Sequence, residues 1–84
     1  MKMTKDVEEL VREIFELSIR INSELKYDCF FELKPHVEWV EVRIAYSDKI
    51  DWLIDEYIST KREKSRLKAL ILDMKKYLKE NENE

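Results

Sequence analysis

No glycine occurs among the 84 residues, where average usage of about 7% would place roughly six. That absence removes the phosphate-cradling loop of a Walker site, the dinucleotide fingerprint and the nucleophile elbow, all of which need glycine where the backbone turns sharply or approaches a ligand. Most nucleotide-dependent enzymes are disfavoured on that ground. Proline, cysteine and histidine occur once each. A lone Cys29 forms no internal disulfide, and with one histidine it cannot complete a structural zinc site. No cofactor or metal is expected, and the expected compartment is a reducing cytoplasm. No apolar run approaches the roughly 18–20 residues of a membrane span, and the first residues lack the apolar core of a signal peptide. The expectation is a soluble, unprocessed protein with no membrane partner.

Charge is abundant instead. Charged residues make up 42% and apolar residues 44% of the chain, which leaves few uncharged polar residues for loops and implies one ordered domain over 1–84 with little margin of stability. The net charge of −3 conceals a partition: residues 1–60 carry net −6, residues 61–79 net +6, and an acidic tail over 80–84, expected to fray, carries −3. Such asymmetry marks either a surface for nucleic acid or an acidic partner, or a solvated helix face that complements another part of the molecule.

Hydrophobic periodicity supplies the architecture. Val7, Leu10, Val11, Ile14, Leu17, Ile21 and Leu25 recur at helical spacing, with Phe15 and Ile19 widening the stripe and Thr4 as N-cap, so a helix is expected over 4–25. Tyr27 to Lys34 and Val37 to Tyr46 alternate as two strands of a hairpin around Pro35 and His36. The expected register opposes Phe31 with Val40, Cys29 with Val42 and Tyr27 with Ile44 on one face, and Phe30 with Glu41 on the other. Ile50, Leu53, Ile54, Tyr57 and Ile58 then suggest a second helix capped by Ser47 or Asp48. Leu67, Leu70, Ile71, Met74 and Leu78 continue the pattern after a polar gap over 59–66. Thr60 and Glu63 have the spacing of a capping box and argue for a break near residue 60, while an unbroken heptad phase argues for one helix over 49–79. The expected fold is α+β, in the order helix, β-hairpin, helix, with the last helix whole or split.

Few residues are suited to catalysis. His36 sits at a loop tip, Cys29 falls on the hairpin's core face as a small hydrophobe, and Asp48, Asp51 and Asp55 resemble the acidic first turn of a helix more than a metal site. No catalytic residue and no metal ligand is expected. Two surface features remain. Phe30, Trp39 and Trp52 lie off the expected core faces, as partner-binding aromatics unless helices cover both faces of the hairpin. Lys61, Arg62, Lys64, Arg66, Lys68, Lys75, Lys76 and Lys79 form a basic surface on the last helix, without the interleaved aromatics of a single-strand platform.

The stretch Lys26-Tyr27-Asp28-Cys29-Phe30-Phe31-Glu32-Leu33, followed by His36-Val37-Glu38-Trp39-Val40-Glu41-Val42, resembles the central hairpin of small uncharacterised proteins carried by phages and prophages of Gram-positive bacteria. The resemblance implies a mobile-element setting, in which small glycine-poor acidic proteins bind and inhibit or redirect a host protein, defence nucleases included. It carries no functional residue across. The expected function is a non-enzymatic interaction or inhibitor module, self-associating as a homodimer and possessed of a host protein partner. The alternative is a nucleic-acid-binding accessory protein working through the basic helix.

Overall fold

The computed structural model describes residues 3–24, 26–49 and 51–82, with side chains as far as Leu78 in the last stretch. Five elements follow one another: α1 (Lys5–Asn22), β1 (Tyr27–Lys34), β2 (Trp39–Tyr46), β3 (Trp52–Ser59) and α2 (Lys64–Glu82). The α+β class and the order of helix, strands and helix agree with the sequence reading. One element does not, because residues 52–59 form a third strand where helical spacing was expected.

The reason lies in an ambiguous pattern. Leu53, Ile54, Tyr57 and Ile58 fit a helical stripe, yet Ile54, Glu56 and Ile58 also alternate with Asp55 and Tyr57 at period two. Isoleucine and tyrosine favour strands, and a two-stranded hairpin is marginal alone. β3 pairs antiparallel with β2, Val40 opposite Ile58 and Ile44 opposite Ile54, with a bulge at Ile44/Ala45 that absorbs the consecutive apolar residues. Neither Ser47 nor Asp48 caps a helix. Ser47 turns its hydroxyl to the Asp28 carboxylate at 3.0 Å. A continuous helix over 49–79 is excluded, and the break near residue 60 separates strand from helix. Leu25 and Ile50 lie outside the described residues.

The hairpin register is displaced by two residues from expectation: Phe31 opposes Val42, Cys29 opposes Ile44 and Phe30 opposes Arg43. The cause is the connection. Pro35 to Glu38 form a four-residue loop, closed by the Glu38 N–H on the Pro35 carbonyl at 3.3 Å, and Glu38 takes the left-handed conformation (φ 56) that the chain has no glycine to supply. A shift of two preserves the faces, so the division into core and outer residues survives.

α1 begins at Thr4, whose backbone is extended as an N-cap requires, although its hydroxyl makes no capping bond to the helix. Asp6 accepts the Val7 N–H at 3.0 Å in its place, beside the positive end of the dipole. Val7, Val11, Ile14, Leu17 and Ile21 of α1 and Leu67, Leu70, Ile71, Met74 and Leu78 of α2 are buried with Tyr27, Cys29, Val40, Val42, Ile44 and Ile58 of the sheet. Complete burial of one such aliphatic side chain contributes about 1.5–3 kcal/mol. The helices lie beside each other on one face of the sheet. Phe15 and Ile19, expected to widen the core stripe of α1, stand about half exposed.

Candidate functional site

With both helices on one face, the other face of the sheet is left open. Alternation places Phe30, Glu32 and Lys34 from β1, Trp39, Glu41 and Arg43 from β2, and Trp52, Asp55 and Tyr57 from β3 on it. Two of the expected aromatics are brought together: Phe30 meets Trp52 edge-on, ring centroids 5.6 Å apart. Trp39 lies toward the other end against Tyr57, centroids 5.7 Å apart. Phe30, Trp52 and Tyr57 are 54%, 44% and 44% exposed, whereas Trp39 is half-buried.

Arg43 organises the centre. Its guanidinium lies 5.3 Å from the Trp52 ring centroid, its Nη2 approaches Glu41 at 2.6 Å and donates to the Tyr57 hydroxyl at 3.2 Å, and its Nε lies 3.2 Å from Asp55. Glu41 is in turn reached by Lys34 at 2.9 Å. Although it belongs to the open face, Glu41 is buried beneath these two cations. The Lys34 hydrogen bond, with support from Arg43, holds its carboxyl below the usual value against the effect of burial. Tyr57 and the Glu41–Asp55 pair hold Arg43 in one orientation, so stacking on Trp52 costs little further ordering. Arg43, Glu41, Asp55 and Tyr57 were missed as a group because Asp55 and Tyr57 join it only through β3. The alternation of Trp39, Glu41 and Arg43 was the available signal.

The basic side chains of α2 are largely answered from within the molecule. Lys64 pairs with Asp6, and Lys75 with Glu13 at 3.3 Å, tying the helix to the acidic face of α1. The Lys64 ammonium, then the Thr4 hydroxyl, holds Asp6 well below the carboxylate range. Arg66 pairs with Glu63 at 2.6 Å and Lys76 with Asp73 at 3.5 Å. Lys61, Arg62 and Lys68 are exposed, without an ion pair among the described residues. The side chain of Lys79 lies outside those described. Glu63 also accepts the Ser59 N–H at 2.9 Å, and Ser59 Oγ accepts the N–H groups of Lys61 and Arg62. The expected capping box on Thr60 is not formed; Ser59, the last residue of β3, and Glu63 instead brace the turn that precedes α2.

His36 is exposed in the loop between β1 and β2, Cys29 is buried, and Asp48, Asp51 and Asp55 form no metal-holding group among the described residues. No helix among them is long and apolar enough to cross a membrane. No protein-family model, curated protein or solved structure matches the chain.

Proposed function

We propose that the open sheet face docks a second protein, and that the chain is a non-enzymatic interaction module. The observation that carries this reading is the Arg43-centred cluster, in which exposed Trp52 and Tyr57 flank a partly exposed Arg43 held by ion pairs, the residue types that dominate binding energy at interfaces. A β-sheet bearing aromatics could also stack single-stranded RNA, and charge decides between the two. Asp28, Glu32, Glu41 and Asp55 outnumber Lys34 and Arg43 on this face, whereas a phosphate chain requires the reverse. The favoured partner offers an apolar and basic surface. A nucleic-acid-binding groove on a host enzyme has that chemistry, and blocking such a groove would make the module an inhibitor. A reducing cytoplasm suits the unpaired thiol of Cys29.

A second reading rests on Lys61, Arg62 and Lys68, exposed near the positive end of the α2 dipole, where phosphates could bind. Three cations support weak, non-specific association that declines steeply with salt.

Immobilised protein, exposed to extract of the native host, separates these readings. The expected result is a specific host protein retained by the wild type and by the triple variant Lys61→Gln/Arg62→Gln/Lys68→Gln, and lost from a folded Trp52→Ala variant. Retention by Trp52→Ala, or tight nucleic-acid binding at physiological salt that the triple variant abolishes, overturns the proposal.

A further inference from the structure

β1 is an edge strand, and part of its edge is already closed. Ser47 donates its N–H to the Lys26 carbonyl at 3.0 Å, continuing the ladder to β2. Even-numbered residues of β1 therefore direct their backbone polar groups toward β2, and odd-numbered residues direct theirs outward. At Cys29 the outward groups are answered by a side chain: Asn22 Nδ2 donates to the Cys29 carbonyl at 2.6 Å, and the Cys29 N–H donates to Asn22 Oδ1 at 2.7 Å. One asparagine of α1 stands in for a missing strand. Phe31 and Leu33, farther along, have no strand on their outward side among the described residues.

Hydration can satisfy an open edge, but the side chains around this one are unsuited to water. Five of the nine large apolar side chains exposed among the described residues, Phe15, Ile19, Phe30, Leu33 and Val37, lie along this edge and the loop that follows it. Phe15 rests on Phe31 with centroids 5.3 Å apart, at a groove of about 570 Å³ that wraps the strand. An open edge flanked by apolar side chains invites another strand.

We propose that this strand is β1 of a second copy, paired antiparallel about a two-fold axis at Leu33. Charge selects both occupant and register. Glu32 and Lys34 share one face of β1, so centring on Leu33 sets Glu32 opposite the second copy's Lys34, and the reverse, forming two opposite-charge pairs at once. Lys34 keeps its bond to Glu41, since an ammonium has three donors. The two Leu33 residues exchange backbone hydrogen bonds; opposite Phe31 the second copy's Pro35 has no N–H and its carbonyl already closes the loop on Glu38, so the new ladder is short and centred on this pair. Adjacent registers fail. Centring on Glu32 opposes two carboxylates, and centring on Phe31 opposes Leu33 with Cys29, whose backbone Asn22 already holds. The product is one six-stranded sheet with all helices on one side and both open faces on the other.

This proposal is independent of what binds the open face, and the test keeps the two apart. Leu33 and Leu53 are equally exposed, 39% each, on opposite edges of the sheet. The full chain carrying Cys29→Ala with either Leu33→Cys or Leu53→Cys is oxidised in solution. Opposed Cα atoms in such a pair lie about 5.5 Å apart, inside the roughly 4.4–6.8 Å range of a disulfide. Leu33→Cys is expected to cross-link an order of magnitude faster than Leu53→Cys, and equal rates overturn the proposal. Sedimentation equilibrium of the unmodified chain is expected to show a dimer. Glu32→Lys should weaken it several-fold by opposing lysine with lysine, while Trp52→Ala should leave it unchanged. A monomer at the solubility limit, a dimer indifferent to Glu32→Lys, or one abolished by Trp52→Ala overturns β1 pairing.

Discussion

Thr60 donates both its backbone N–H and its hydroxyl to the carbonyl of Glu38, each at 2.9 Å, and so fastens the end of β3 to the loop between β1 and β2. Thr60 is buried, so neither bond is easily exchanged for water. Thr60→Val, which keeps the shape and removes the hydroxyl, is expected to cost about 1 kcal/mol in urea unfolding. Thr60→Ser, which keeps the hydroxyl, should cost less than Thr60→Val. The cost arises from the loop and not from a helix cap, so helix content should not change.

Glu38 is the non-glycine residue of positive φ among those described, a conformation that costs an ordinary residue roughly 1–2 kcal/mol. Asparagine tolerates it better and does not loosen the unfolded chain as glycine does. Glu38→Asn is expected to raise stability by about 0.5 kcal/mol, read as a higher midpoint in thermal melting.

Trp39 packs on Tyr57, but its indole Nε1 is buried without an acceptor among the described residues. Such a donor costs about 1–3 kcal/mol. Trp39→Phe retains an aromatic surface and removes the donor, so it should fall within about 1 kcal/mol of wild type, whereas Trp39→Ala should cost about 2 kcal/mol by loss of packing. Equal destabilisation by both would show that the indole contributes more than ring area.

Acid should weaken the fold through Glu41 and Glu63. Both are held below their ordinary value of 4.5, Glu41 first by Lys34 and Glu63 first by the Ser59 N–H with Arg66 next. The unfolded chain then binds protons more readily than the folded one, so the contribution is present above the ordinary value and is lost as pH falls through the lowered one. Denaturant unfolding from neutral to acid pH should show this decline, with a shallower slope in Glu41→Gln. An unchanged slope would assign the decline to other carboxylates.

Cys29 should behave as an inert thiol. Burial raises its pKa, partly offset by Ser18, so thiolate is scarce at neutral pH and the sulfur is shielded. Labelling by an aromatic disulfide reagent should be slow in the native protein and rapid in denaturant. Fast native labelling would contradict the packing of Cys29 against α1.

The sequence carried the hairpin's faces better than its register. Period-two alternation sorts Cys29 and Phe31 from Phe30 and Glu32 whatever the loop, but the pairing depends on whether Glu38 adopts a left-handed conformation, which glutamate does not advertise. β3 was illegible for a different reason. Leu53, Ile54, Tyr57 and Ile58 satisfy both periods, and only the unfilled edge of β2 resolves the conflict. Phe30 and Trp52 were identifiable as residues without a core role, yet their meeting depends on that third strand. The ion pairs of Lys64 with Asp6 and Lys75 with Glu13 follow from charge partition plus the side-by-side placement of two helices, and the second of these is tertiary.

Because α1 shields its apolar face against α2, an element synthesised early waits for one synthesised later. Ribosomes add about 5–20 residues per second, so roughly 3–12 s separate completion of Asn22 from completion of Glu82. During that interval Val7, Val11, Ile14, Leu17 and Ile21 lack their final neighbours, and nascent chains are exposed to chaperones and proteases. Slow codons within the α2 message would prolong this vulnerable period and lower cellular yield without altering a single amino acid.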